Sequence, residues 1–235
     1  MSIVGEKEAR TQKRVVEFFL NHLGYRYLGY WKDRDGNSNV EEDLLAARLK
    51  RRGHDDKIIG KVLYQLGKAR ALSGSKTLYD ANREVYGLLR YGVKVRPDVG
   101  EQNITIWLID WENPESNDFA IAEEVTVAGE HTKRPDVVLY VNGIAIGVLE
   151  LKRSTVSVTE GIRQNLDSQK KEFIRPFYAT VQLVMAGLLL TSLISWTVIF
   201  GKLFGLRRVR GHNDDFEREF WSGRSLTELN TAVGQ

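Results

Sequence analysis

The sequence contains no cysteine, and this absence excludes disulfide bonds, thiol catalysis and zinc sites built on cysteine thiolates. The same absence fits an intracellular protein without requiring one. Histidine is also scarce, and its four copies are too scattered to suggest a metal cluster: His22, His54, His131 and His212. Neither residue type therefore points to a catalytic or metal centre.

Two common catalytic signatures are missing as well. No G-x-x-x-x-G-K-[ST] phosphate-binding loop is present, because the segment 74–77 lacks the adjacent Gly-Lys pair, so we expect no ATP site. The absence of G-x-S-x-G argues against a hydrolase with a serine nucleophile. The amino terminus lacks the apolar core of a signal peptide, which favours a cytoplasmic protein.

Charge of one sign is not in large excess either. A net charge of +3 excludes a histone-like polycation. Basic residues are nevertheless grouped at 50–52, 163–171 and 207–210. Such groups can neutralise phosphates and make binding depend on salt, although each one taken alone is also typical of a solvated surface.

The clearest pattern that the sequence does contain is a β-hairpin. Two β-branched and aliphatic runs flank Asn142-Gly143, a dipeptide typical of two-residue turns. The pattern predicts antiparallel strands near 137–141 and 144–152. Because side chains alternate between the faces of a strand, we expect Glu150 and Lys152 to share one face.

Asp136 begins the first strand of this hairpin, roughly opposite the end of the second. The predicted register can therefore bring its carboxylate beside Glu150. Two carboxylates at one point repel unless a cation lies between them, and hard oxygen ligands suit Mg²⁺ or Mn²⁺. Lys152 alongside could orient or deprotonate a water, or stabilise charge at the phosphorus. Phosphodiester hydrolysis fits this set best.

The pattern Pro135-Asp136 … Glu150-x-Lys152 resembles the PD-(D/E)xK nuclease core. The surrounding sequence, from about 72 to 187, resembles more specifically the amino-terminal nuclease region of the R subunit of type I restriction-modification systems. Several motifs carry this resemblance in the same order along the chain: 77–93, 117–127, 134–154, 161–165 and 177–187. The implied fold class is α/β, a restriction-endonuclease-like mixed sheet flanked by helices.

The resemblance implies a Mg²⁺-dependent endonuclease that cuts double-stranded DNA, within a subunit whose motor domains use ATP to translocate DNA. It also implies methyltransferase and specificity subunits as partners. Asp136 and Glu150 match the metal ligands of the motif, and Lys152 matches its catalytic lysine.

Further site residues follow from the same resemblance. Glu84 is the candidate for an acidic residue on the core helix, and Gln164 matches a glutamine on the helix after the E-x-K strand. Related nucleases place a tyrosine four residues after that glutamine, whereas this chain has Ser168. Glu124 is a candidate auxiliary acid, for which a purely structural role is the preferred interpretation.

Hydrophobic periodicity and the resemblance together divide the chain into three regions. A helical amino-terminal region, 1–72, carries helical spacing over 7–29 and 41–71. The nuclease core is predicted over 73–187, and a divergent extension follows over 188–235. The elements predicted in the core, besides the hairpin, are helices over 80–91 and 159–172 and strands over 104–111, 119–127 and 179–186.

The segment 181–201 carries no charged residue and is long enough to span a bilayer. Interspersed polar residues dilute it, and its first residues are needed as the last strand of the sheet. A core strand followed by a second strand or a buried helix is therefore preferred over a membrane anchor, and no membrane contact is expected. The resemblance stops after Gly187, so the origin of the extension stays open.

The sequence thus predicts a DNA endonuclease domain that lacks its ATP-driven motor. The alternative is a non-catalytic DNA-binding or assembly module of a restriction complex, which the missing motor and the altered tail favour. A membrane-associated protein anchored by 181–201 is a third interpretation.

Overall fold

The structure, a computed structural model, describes residues 3–152 and 158–188; of residues 3–11, 152, 158–160, 187 and 188 it describes the backbone. The helices and strands are, in chain order, α1 Ile3–Asn21, β1 Arg26–Tyr30, α2 Glu42–Arg51, α3 Asp56–Arg70, α4 Leu78–Tyr91, β2 Val93–Val95, β3 Ile104–Ile106, β4 Phe119–Glu123, β5 Val137–Val141, β6 Ile144–Lys152, α5 Val158–Ser168 and β7 Leu183–Leu188. Short 3₁₀ helices lie at Pro114–Ser116 and Arg175–Ala179.

A five-stranded mixed sheet in the order β1-β4-β5-β6-β7 forms the centre of the protein. Strands β4, β5 and β6 are antiparallel neighbours, whereas β1 is parallel to β4 and β7 is parallel to β6. Every residue of β5 is buried, so the middle of the sheet is covered on both faces. This helix-flanked mixed sheet confirms the predicted α/β fold class.

The turn between β5 and β6 is formed by Asn142 and Gly143, with φ angles of 52° and 84°. A type I′ turn needs this left-handed backbone at both positions, and Asn and Gly tolerate it best. The side-chain N–H groups of the buried Asn142 donate to the Leu108 carbonyl and to Asn117 Oδ1, both at 2.8 Å. Asn142 Oδ1 in turn accepts a hydrogen bond from Asp118 N–H. The predicted hairpin and the bounds of both strands are confirmed.

Helices α2, α3 and α4 pack against the turn end of this hairpin and enclose the first hydrophobic core. Each contributes apolar residues at helical spacing, and the hairpin contributes two more: Leu45, Leu49, Ile59, Val62, Leu66, Val85, Leu89, Val141 and Ile144. Asp55 caps α3, and Thr77 with Asp80 forms a reciprocal capping box at the start of α4. Local capping therefore sets where the helices begin, and the shared core orients them.

The second core lies on one face of the sheet and is rich in aromatic residues: Trp31, Val138, Tyr140, Ala145, Val148, Ile174, Phe177 and Tyr178. Asn82 of α4 fastens the 3₁₀ helix Arg175–Ala179 to this core. Its side-chain amide donates to three carbonyl oxygens, those of Tyr178, Ala179 and Val181. Helix α4 thus contacts both cores and fixes the segment that leads into β7.

The amino-terminal region differs from the predicted helix over 7–29. Helix α1 ends at Asn21, Gly24 adopts a φ of 68°, and 26–30 forms the edge strand β1. That strand pairs with β4, a partner far along the chain, so helical spacing in the local sequence could not reveal it.

Two other predicted elements are shorter than expected. The helical stretch over 41–71 is two helices, because Gly53 at φ 85° ends α2 before Asp55 caps α3. The strand predicted over 104–111 is reduced to β3, which pairs only with β2 in a separate two-stranded sheet. The domain boundary near residue 72 stays a prediction.

The strand predicted over 179–186 is present as β7, shifted to 183–188 by the preceding 3₁₀ helix. It takes the first part of the uncharged segment 181–201, and the remainder of that segment lies outside the described residues. Within the ranges that are described, no helix has the length and apolar character needed to cross a membrane.

Gly143→Ala tests the turn that sets the hairpin register. A Cβ at this position would lie 2.8 Å from the Glu41 carbonyl oxygen and 2.9 Å from Leu45 N, besides occupying a positive φ. We expect a loss of about 1–3 kcal/mol in the free energy of unfolding, measured by urea denaturation.

Gly60→Ala is the matched control, because a Cβ on this residue of α3 would meet nothing within 4 Å. It should stabilise the protein by about 0.5–1 kcal/mol. Equal stability of the Gly143→Ala variant and the wild type would contradict the tight turn.

Candidate active site

The candidate site lies at the end of the hairpin opposite the Asn142-Gly143 turn. The last paired residues of the ladder are Val137 and Leu149, so the next step of the register sets Asp136 opposite Glu150. Directly opposed residues on one face have Cβ atoms about 4.5–5.5 Å apart. Asp136 Oδ2 also accepts a 2.6 Å hydrogen bond from Leu151 N–H, which ties its carboxylate to β6.

Glu150 is 2% exposed, which is unusual for a carboxylate and requires bonded partners. One partner is Gln164 on α5, whose side-chain amide donates to Glu150 Oε2 at 2.9 Å. The helix that follows β6 therefore returns across the sheet and orients the buried acid. The structure thus brings together three of the site residues predicted from the sequence: Asp136, Glu150 and Gln164.

Lys152 is the last residue of β6, and its backbone is paired with that of Leu188. It lies two residues after Glu150 on the same strand. Its side chain lies outside the described part of the structure, so its catalytic role stays a prediction.

The donor set at this site suits one kind of metal. Among the described residues, no group of three or more His, Cys, Asp or Glu side chains could hold a metal ion. Asp136 and Glu150 offer two carboxylates and no nitrogen or sulfur ligand. Mg²⁺ is commonly held by one or two carboxylates while keeping several waters, so this pair would fit Mg²⁺ better than a multidentate Ca²⁺ or a tetrahedral Zn²⁺.

Comparison with known proteins identifies the family. The family model of the type I restriction enzyme R protein N terminus matches residues 5–187. The chain belongs to this family.

Two relatives from Methanocaldococcus jannaschii carry names that describe type I restriction enzyme endonuclease subunits. The MjaVIIIP subunit is 26% identical over 146 residues, which cover 59% of this chain and 13% of the relative. The MjaIXP subunit is 28% identical over 182 residues, covering 72% of this chain and 17% of the relative. The chain therefore spans less than a fifth of the length of these R-protein relatives.

Glu84, the acidic residue predicted on the core helix of this R-protein domain, lies on the exposed side of α4. Its carboxylate accepts a 2.6 Å hydrogen bond from the Lys76 ammonium. This ion pair joins α4 to the preceding turn. The catalytic role of Glu84 stays a prediction.

Glu124 lies closer to the site than its sequence position suggests. Its backbone N–H donates to the Asp136 carbonyl oxygen at 2.8 Å, and its carboxylate is paired with Arg134. Its φ of 50° is uncommon for a residue with a side chain and occurs directly after β4 ends. The ion pair agrees with a structural role for Glu124 in this R-protein domain.

A buried polar layer beneath Glu150 was not predicted from the sequence. Tyr178 donates its hydroxyl to Asn165 Oδ1 at 3.3 Å, and Ser168 Oγ donates to the Gln164 carbonyl at 2.9 Å. Burial raises the pKa of Tyr178, and the negative charge of Glu150 raises it further. Tyr178 comes from the 3₁₀ helix, so no spacing on α5 could have indicated it.

Gln164→Ala tests the orienting bond to the buried acid. Removing the donor leaves Glu150 Oε2 with one partner fewer in a buried site, so we expect a loss of about 1–3 kcal/mol in the free energy of unfolding. Urea denaturation at neutral pH measures it.

Gln65→Ala is the matched control, since the Gln65 amide also donates one hydrogen bond, to the Lys94 carbonyl, but at an exposed position. Its effect should stay within about 0.5 kcal/mol. Equal effects of the two variants would mean that Gln164 does not support Glu150.

Proposed function

We propose that this chain is the Mg²⁺-dependent DNA endonuclease domain of a type I restriction R subunit. The opposed pair of Asp136 and Glu150, with Gln164 bonded to the buried acid, is the observation that carries the proposal. Membership of the R-protein family supports DNA as the substrate. The reaction would be hydrolysis of phosphodiester bonds in double-stranded DNA, in the cytoplasm.

Each residue of the site would have a distinct part in this reaction. Asp136, tied to β6 by the Leu151 N–H, and Glu150, oriented by Gln164, would hold the ion between them. When bound, Mg²⁺ supplies Lewis-acid stabilisation of the charge on the scissile phosphate. Lys152, at the end of the same strand, would orient or deprotonate the attacking water.

The sequence has no phosphate-binding loop, so this domain would depend on a separate ATP-driven motor for translocation. Methyltransferase and specificity subunits of a restriction complex would be its partners. The specificity subunit would supply the DNA sequence preference, because Asp136, Glu150 and Lys152 act on the phosphate backbone, which is common to all sequences.

Plasmid cleavage with Mg²⁺ and without ATP tests the proposal. Asp136→Asn and Glu150→Gln should each lower the rate of nicking or linearisation at least about a hundredfold, because each removes one charge that holds the ion. Asp98→Asn, which changes an exposed loop carboxylate paired with Lys57, should leave the rate unchanged.

Cleavage that survives in both site variants would contradict the proposed site. A folded wild type that binds DNA without cutting it would instead favour the non-catalytic module.

Lys152→Ala separates a catalytic lysine from a structural one. If the ammonium acts in the chemical step, the cleavage rate falls at least about a hundredfold while DNA affinity and the urea midpoint stay close to those of the wild type. A variant that unfolds at a clearly lower urea concentration would show a structural role.

A further inference from the structure

Two basic segments meet beside the candidate site. The loop 128–132 extends the β4–β5 connection, and Val127 and Lys133 pair across it. His131 N–H donates to the Glu172 carbonyl at 2.8 Å, and the His131 ring lies 5.5 Å from that of Phe173. These two contacts hold the loop against the segment that follows α5.

Lys133 is held in place by the same contact. Its ammonium stands 4.2 Å from the centre of the Phe173 ring, a favourable cation–π distance. Gly129 permits the approach of the two segments, because a Cβ there would lie 2.6 Å from the Phe173 carbonyl oxygen. Lys133 is therefore placed by packing before any ligand binds.

Three further cations lie on α5 or in the segment that follows it, which contacts Lys133 through Phe173. Arg163 and Lys170 carry exposed side chains, as does Lys171. Lys170 is bonded to Asp167 at 2.7 Å, and this bond, together with the charges of Arg163 and Lys133, lowers the pKa of Asp167. These cations therefore lie close to one another. We call Lys133, Arg163, Lys170 and Lys171 the basic ledge.

Two residues of the ledge adjoin residues of the candidate site along the chain. Lys133 lies in the segment that leads into Asp136, and Arg163 directly precedes Gln164, the partner of Glu150. A phosphate chain that passes over the carboxylate pair would run beside both segments.

The other basic group in the described residues has a different environment. Lys50, Arg51 and Arg52 are each paired with a carboxylate, those of Asp56, Asp118 and Asp110. They also lie at the end of α2, which packs at the turn end of the hairpin. Pairing with a carboxylate does not separate the two groups, because Lys170 is paired as well, but position favours the ledge as a surface for an anionic polymer.

We propose that the basic ledge binds the phosphate backbone of duplex DNA and holds it across the candidate site. The inference rests on the proposed function for its choice of DNA. Contacts of this kind position the duplex and carry no sequence information. A docked protein partner is the competing occupant.

Salt-dependent binding of a labelled DNA duplex, measured by fluorescence anisotropy in EDTA, tests the ledge without cleavage. Lys133→Ala and Arg163→Ala should each reduce the slope of log affinity against log salt by about 0.9, the value for one lost phosphate contact. Lys94→Ala, an exposed lysine on β2, is the matched control and should leave the slope unchanged.

Gly129→Ala provides a second arm that changes no charge. If the ledge is set by the close approach of the loop to Phe173, this variant should weaken duplex binding several-fold while thermal denaturation shows that the fold is kept.

If Lys133→Ala and Arg163→Ala both have the same salt slope as the wild type, the inference is overturned. The basic ledge would then be assigned to a protein partner. A wild type that binds DNA through the ledge but does not cut plasmid with Mg²⁺ would contradict the proposed function. DNA binding by the ledge would still be supported. If the wild type cuts plasmid and the ledge variants keep the wild-type salt slope, only DNA binding by the ledge is overturned.

Discussion

The antiparallel pairing of β5 with β6 positions the two carboxylates of the candidate site. Side chains alternate along a strand, so a slip of one residue would turn Glu150 to the other face and separate it from Asp136. Two features at the far end of the hairpin oppose such a slip. Asn142 is buried in a network with Asn117 and Asp118, and Gly143 lies against the backbone of α2. The turn fixes the register as far as the bulge between Leu139 and Tyr140, and the one-residue shift at that bulge then sets Asp136 opposite Glu150.

The buried polar layer beneath Glu150 is costly for stability and is best understood through function. A carboxylate at 2% exposure loses most of its hydration, and bonded partners such as Gln164 offset that loss. Asn165, Ser168 and Tyr178 fill the space behind it with further polar groups, where an apolar core would pack at lower cost. Polar layers of this kind are expected where a protein gives up packing for a functional site.

The sequence predicted the parts of this architecture that depend on neighbouring residues. The Asn-Gly turn predicted the hairpin, whereas the bulge that sets Asp136 opposite Glu150 was not predictable from alternation. Gln164 was indicated by the resemblance to the R-subunit family. Contacts between distant segments were not predictable. Strand β1 depends on β4, Tyr178 reaches the site from the 3₁₀ helix, and Lys133 is placed by Phe173. These arrangements come from packing between segments, which no local pattern encodes.

In the proposed function, Asp136 and Glu150 together form one site for a divalent cation. Titration with Mn²⁺, followed by the electron paramagnetic resonance signal of the free ion, tests this site without DNA or cleavage. We expect saturable binding by the wild type that Asp136→Asn and Glu150→Gln each weaken at least about tenfold, with Asp98→Asn unchanged. Mn²⁺ binding of equal strength in the wild type and both site variants would contradict it.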